Sequence, residues 1–217
     1  MIVLFGHQKG GVGKSTVSIN VAYQLQKKYK DLVLLDLDSQ NSAILFNQLR
    51  MSENLPTIKC VKESDIDFSN FINEYSGNKE NLLIIDSGGY DSNVNRAALI
   101  KADIIITPVG ISQIEIFGLQ KFRKILKEAS EALDVKIKTN VLLNNVDSRS
   151  KNKLRDLREY IKENNKYFNL LDSVIHTRAD YKNSYGDGLT VKELNKKGTA
   201  AQEIKQLTKE ILKLVNN

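Results

Sequence analysis

The sequence predicts an α/β fold, a mostly parallel, twisted sheet with helices on both faces. Three observations carry that expectation. Short apolar, β-branched runs alternate with helix-length amphipathic segments along the whole chain. Those runs are continuous rather than alternating, as strands buried on both faces require, and right-handed crossovers join such strands into a parallel sheet. Directly behind the first run lies a glycine-rich turn that opens a helical segment.

Taken in order, the strands are expected at 2–5, 32–35, 82–85, 104–107, 137–143 and 173–175. Helices are expected at 14–28, 42–50, 65–74, 93–101, 113–133, 150–164 and 199–215. At 217 residues, with 41% hydrophobic and 27% charged, the chain suits one α/β domain over 1–217. Only Pro56 and Pro108 interrupt it, and no Ser/Gly-rich tract suggests a linker. The lone Cys60 excludes a disulfide framework within the chain and reads as a small, half-buried residue. No signal-like segment or apolar stretch of membrane-spanning length is present, so a cytoplasmic protein is expected.

In an open parallel sheet, ligands bind at the carboxyl ends of the strands, so the chemistry belongs just after each one. After the first strand come Lys9, Gly10, Gly11, Val12, Gly13, Lys14, Ser15 and Thr16. This run reads as a phosphate-binding loop. Glycines let consecutive N–H groups turn toward an anion, and the following helix adds the positive end of its dipole. Lys14 then reaches the β- and γ-phosphates of ATP, and the Ser15 hydroxyl ligates Mg²⁺. The usual G-x-x-x-x-G-K-[ST] pattern fails at its first place, which is Gln8, and a second lysine, Lys9, stands at the front of the loop.

Two acidic strand ends accompany the loop. One is Asp36-Leu37-Asp38-Ser39-Gln40, and the other is Asp86-Ser87-Gly88-Gly89 behind four apolar residues. A carboxylate at a buried strand end is costly without a cation or donors, and Mg²⁺ held together with Ser15 supplies that partner for Asp36 and Asp86. Either aspartate also makes sense as a helix cap. Asp38, one residue beyond its strand, is expected to orient the attacking water. Asn144, after the fifth strand run, matches an adenine edge, though Asn is also common at turns. Asn20 reads as structural.

With these residues placed, the chain resembles the ParA family of partition ATPases, within a wider class that includes MinD and the nitrogenase iron protein. The resemblance spans essentially the whole chain. It rests on residues 8–16, the 36–40 box, Asp86, the strand end Ile106-Thr107-Pro108-Val109 and the order of these motifs. The short length and the Asp86-Ser87-Gly88-Gly89 segment look like the short, plasmid-type (ParF-type) members, without the N-terminal DNA-binding domain of larger relatives. The resemblance implies a weak ATPase with a deviant Walker A loop and a homodimer formed on ATP binding. Within that dimer, the lysine matching Lys9 reaches the partner's phosphates. It further implies nonspecific DNA binding, a nucleoid-associated location and a ParB-like partner that stimulates hydrolysis. The alternative is a MinD-like positioning ATPase acting on a membrane or a protein array. Two departures stand out: Ser39 replaces the proline of the family's box, and Gly88-Gly89 replaces a Pro-Pro. Neither is expected to touch a phosphate-facing group.

The net charge of +6 concentrates between residues 149 and 182, where nine basic residues face five acidic ones. Lys151, Arg155, Arg158 and Lys162 recur at helical spacing on one face, opposite Leu154, Leu157 and Ile161. Such a stripe is commonly just a solvated face. The resemblance makes it a candidate DNA surface, extended by Arg178 and Lys182, with steeply salt-dependent binding. The final amphipathic segment is expected to close the fold rather than hold a membrane.

Overall fold

A computed structural model describes residues 1–89, 91–147 and 151–216, apart from the side chains of residues 151 and 216. Its centre is a seven-stranded, all-parallel sheet in the order β3-β2-β4-β1-β5-β6-β7. The strands are β1 (Ile2–Phe5), β2 (Asp31–Asp36), β3 (Lys59–Lys62), β4 (Asn81–Asp86), β5 (Ile104–Val109), β6 (Thr139–Val146) and β7 (Phe168–His176). The helices are α1 (Lys14–Leu25), α2 (Ser42–Ser52), α3 (Phe68–Tyr75), α4 (Asn93–Lys101) and α5 (Gln113–Leu133), then α6 (Lys151–Glu163), α7 (Ala179–Gly186), α8 (Val191–Leu194) and α9 (Thr199–Asn216).

Successive strand residues point to opposite faces, and the two halves of the core divide accordingly. Val3, Phe5, Leu34, Ile84 and Ile106 join residues of α1, α2 and α9 on one face. Ile2, Leu4, Leu35, Ile85 and Ile105 join residues of α3, α4, α5 and α6 on the other. All ten are nearly inaccessible, and burying each such side chain contributes about 1.5–3 kcal/mol. In α9, Ile204, Leu207 and Ile211 are buried, so this helix is a packing layer, as expected from its spacing. No described helix is long and apolar enough to cross a membrane.

Four elements differ from the sequence expectation. β3, with the sequence Lys-Cys-Val-Lys, is an edge strand paired only with β2, so it has too little buried surface to leave an apolar run. β7 extends back to Phe168 because its exposed positions, among them Asn169 and Asp172, face away from the core and break the apolar pattern. The short helices α7 and α8 were not expected. α8 starts with a capping box in which Thr190 and Glu193 satisfy each other's backbone amides, a signature present in the sequence.

Buried Arg50 joins α2 to α8 and the turn before it. Its guanidinium, fully inaccessible, makes paired 2.8 Å bonds to Glu193 and donates to the carbonyls of Pro56 and Gly188. It also lies 4.4 Å over the Tyr23 ring. No local motif marks Arg50, and the capping box that marks Glu193 does not point to this partner.

Candidate functional site

The strand register assembles the site. Phe5 pairs with Asp86 and Asp86 with Asp36, so three adjacent strands end level with one another. β1 lies between β4 and β5, where the chain order of the sheet reverses, and the loop 6–13 leaves its carboxyl end. Gly11 and Gly13 have positive φ angles of 74° and 89°, a backbone that L side chains rarely adopt. The first helical hydrogen bond runs from the Val17 amide to the Gly13 carbonyl at 3.0 Å.

Lys14 is 4% exposed, and its ammonium donates to the Lys9 carbonyl at 3.1 Å. Burial lowers its pKa, opposed by the nearby Asp86 and Asp38 carboxylates. Asp86 is fully inaccessible, and neither carboxylate oxygen has a well-formed hydrogen bond. Burial pushes its pKa up, Ser15 is the main group holding it down, and Asp36 and Asp38 add like charge. A buried carboxylate this poorly satisfied, facing a serine hydroxyl at the mouth of a glycine-rich loop, fits Mg²⁺, a hard cation commonly held by one or two protein oxygens together with phosphates.

Asp36 behaves differently. One oxygen accepts from the Asp38 amide at 3.0 Å, and the other accepts from Ala43 at 2.9 Å and Ile44 at 3.3 Å. Its carboxylate therefore caps α2, whose own first flanking residue, Asn41, makes no side-chain cap. Asp38 is half-buried and accepts from the Gln40 amide at 3.0 Å, which closes the turn that aims it toward Lys14.

A cavity of about 190 Å³ adjoins the loop, lined by Gly13, Thr16, Asn144, Glu115, Arg178 and Tyr181 among others. Asn144 is on this wall, but its amide donates to the Val12 carbonyl at 2.7 Å and props the loop from below. A Cβ at position 13 would lie 2.3 Å from that same amide nitrogen. Asn20 bridges the Thr16 carbonyl and the Val191 amide, the structural role expected of it.

Arg178 is tied to Glu203 and stays partly exposed. Its Nε and Nη2 both donate to Glu203, at 3.0 and 2.7 Å, with His176 and Tyr181 on the same carboxylate. It also lines the cavity. On α6, Leu157 and Ile161 are buried while Arg155, Arg158 and Lys162 are exposed. Among the described residues Arg155 makes long contacts with Asp156 and Glu159, at 3.6 and 4.0 Å, which hold little energy on a surface. The side chain of Lys151 lies outside the described residues. Lys182 is exposed on α7.

Three further residues take part at the loop. Glu115, from the first turn of α5, forms an ion pair with the Lys9 ammonium in its own chain. Gly89 lies against the loop: a Cβ there would approach the Gly10 nitrogen to 2.6 Å, so the Gly-Gly departure does reach the phosphate loop, contrary to expectation. His7 is buried, accepts from the Lys9 amide at 2.8 Å and stacks on Phe122.

Residues 3–191 match the family model described as "CobQ/CobB/MinD/ParA nucleotide binding domain". A curated relative, Protein ParA of Rhizobium radiobacter, is 28% identical over 138 residues, which is 63% of this chain and 60% of that protein. The match thus spans less than two thirds of that relative's length. Among solved structures, a plasmid partition protein of Borrelia burgdorferi B31 bound to AMPPNP superposes with a TM-score of 0.71 at 18% identity, over 98% of both chains. MinD of Pyrococcus horikoshii, complexed with Mg-ADP, gives 0.71 at 16% identity over 99% of this chain and 96% of that one. At such identities the structures speak for the fold, a parallel sheet of the P-loop type. The match over residues 3–191 identifies the chain as a member of the CobQ/CobB/MinD/ParA nucleotide-binding family.

Proposed function

We propose that the chain is a DNA partition ATPase whose Mg-ATP-bound dimer binds nonspecific DNA. The observation that carries this reading is the meeting of Lys14, Ser15 and the unsatisfied Asp86 carboxylate at the mouth of the loop. Lys14 neutralises the β- and γ-phosphates, and backbone amides of residues 10–16 cradle them. Ser15 and Asp86 would hold Mg²⁺, which when bound would supply positive charge against the phosphate oxygens. Asp36 anchors α2, and through it the segment carrying Asp38, which orients the water that attacks the γ-phosphate to yield ADP and phosphate. Asn144 holds the loop beside the base. Lys9 reaches the phosphates of a second copy, so loss of the γ-phosphate loosens the dimer.

The exposed cations Arg155, Arg158 and Lys162 contact DNA phosphates, with Lys151 and Lys182 in reach by sequence position. Dimerisation doubles their number and steepens the dependence on salt. A ParB-like protein on the cargo is the expected stimulus for hydrolysis. Support comes from the ParA relative and from the plasmid partition protein of the same fold.

Sedimentation with and without Mg-ATP, alongside DNA binding in low salt, tests the reading. Lys14→Ala should abolish nucleotide binding, whereas Lys9→Ala should bind nucleotide and fail to dimerise. A wild-type protein that neither dimerises nor gains DNA affinity with Mg-ATP overturns it. Since the family includes MinD, liposome sedimentation in the same conditions separates a membrane-positioning role.

A further inference from the structure

We propose that Glu115 is a positioning residue for Lys9, holding its ammonium inside its own chain until the phosphates of a bound nucleotide replace the carboxylate. The inference rests on the reading that phosphates bind at the loop. Lys9 is fixed at three points, all within one chain. Its amide donates to His7, its carbonyl accepts from Lys14 and its ammonium meets Glu115.

The pair is lopsided. Glu115 is 8% exposed, yet while one oxygen engages Lys9, the other is buried without a hydrogen-bond partner among the described residues. It sits in the first turn of the 21-residue α5, where the helix dipole favours a carboxylate. α5 comes close to the loop because Gly118 faces it: a Cβ there would approach His7 Cε1 to 2.9 Å. Gly110 leaves similar room for Glu115, where a Cβ would lie 3.3 Å from Cγ.

Glu115 also lines the cavity shared with Gly11, Gly13 and Thr16. An anion entering that cavity faces a carboxylate whose charge is compensated by Lys9 and only half satisfied by hydrogen bonds. The ammonium sits on a flexible four-carbon stem, and the Lys9 side chain is 32% exposed against 11% for Glu115, so it is the partner with room to leave. Phosphates therefore compete with Glu115 for it. The nucleotide-free chain keeps Lys9 at home, and the loaded chain releases it.

The test is competitive acylation of lysines in the full chain, read by peptide mass spectrometry, with Lys124, whose side chain is 79% exposed, as the internal reference. In nucleotide-free protein, Glu115→Gln should raise Lys9 labelling about fivefold relative to Lys124, with an unchanged Tm. Glu115→Asp keeps the charge and should label closer to wild type. In sedimentation titrations with Mg²⁺ and a nonhydrolysable ATP analogue, Glu115→Gln should dimerise at about fivefold lower analogue concentration. Wild type that fails to bind the analogue refutes the nucleotide reading and the release step with it. If wild type binds the analogue while Glu115→Gln moves neither Lys9 labelling nor the dimerisation midpoint, the Glu115 assignment alone is overturned. A lowered Tm with unchanged labelling reduces Glu115 to a packing residue and overturns it equally.

Discussion

Replacing Asp86 with Asn should make the nucleotide-free protein more stable while removing its response to Mg²⁺. Asp86 is inaccessible and lacks a well-formed hydrogen bond on either oxygen, so its charge is carried at a cost that a bound cation would offset. Asn fills the same volume without the charge, and Asp38 remains to face the Lys14 ammonium. Relieving an unsatisfied buried carboxylate is worth about 2 kcal/mol. Unfolding entropy of about 2.1 cal/mol/K per residue, over 217 residues, converts this into a rise in Tm of about 4 °C. Wild type at a hundredfold excess of Mg-nucleotide over Kd gains about 2.7 kcal/mol, or about 6 °C. Differential scanning calorimetry of both proteins, with nucleotide plus either Mg²⁺ or EDTA, reads both effects. A nucleotide-free Asp86→Asn protein that melts below wild type, or one that keeps the full Mg²⁺-dependent shift, would refute the reasoning.

Gly89→Ala places a methyl 2.6 and 2.7 Å from the Gly10 nitrogen and Cα, so the loop must shift; a penalty of about 1–3 kcal/mol should appear as weaker nucleotide binding by calorimetric titration. His7 is held down to about 3, first by burial and then by Lys14 and Lys9, so below its ordinary value of 6.5 the unfolded chain binds a proton that the folded chain refuses. Stability should therefore fall as pH drops from about 6.5 toward 3, by about 2 kcal/mol at pH 5, and urea midpoints of His7→Asn should lack that component. Arg50→Leu removes the guanidinium donor from Glu193 and from two carbonyls and should cost about 3 kcal/mol, a drop of about 7 °C in Tm.

The central strands, their parallel arrangement and the loop were legible in the sequence because each leaves a local trace. A strand buried on both faces has to be apolar throughout, and a loop that turns its amides inward has to carry glycines at positive φ, as Gly11 and Gly13 do. The acidic strand ends were legible for the same reason. Their division of labour was not: Asp36 and Asp86 look alike in sequence, and only the packing of α2 onto the sheet gives Asp36 two further amide donors and leaves Asp86 with none. β3 escaped notice because an edge strand need not be apolar. Lys9 announces itself at the front of the loop, but its partner Glu115 lies 106 residues further on, and no periodicity spans that distance. By itself, then, the sequence determined where charge and glycine must sit to receive an anion. Tertiary structure alone decided which of those charges are already satisfied, because satisfaction depends on donors brought together from separate elements.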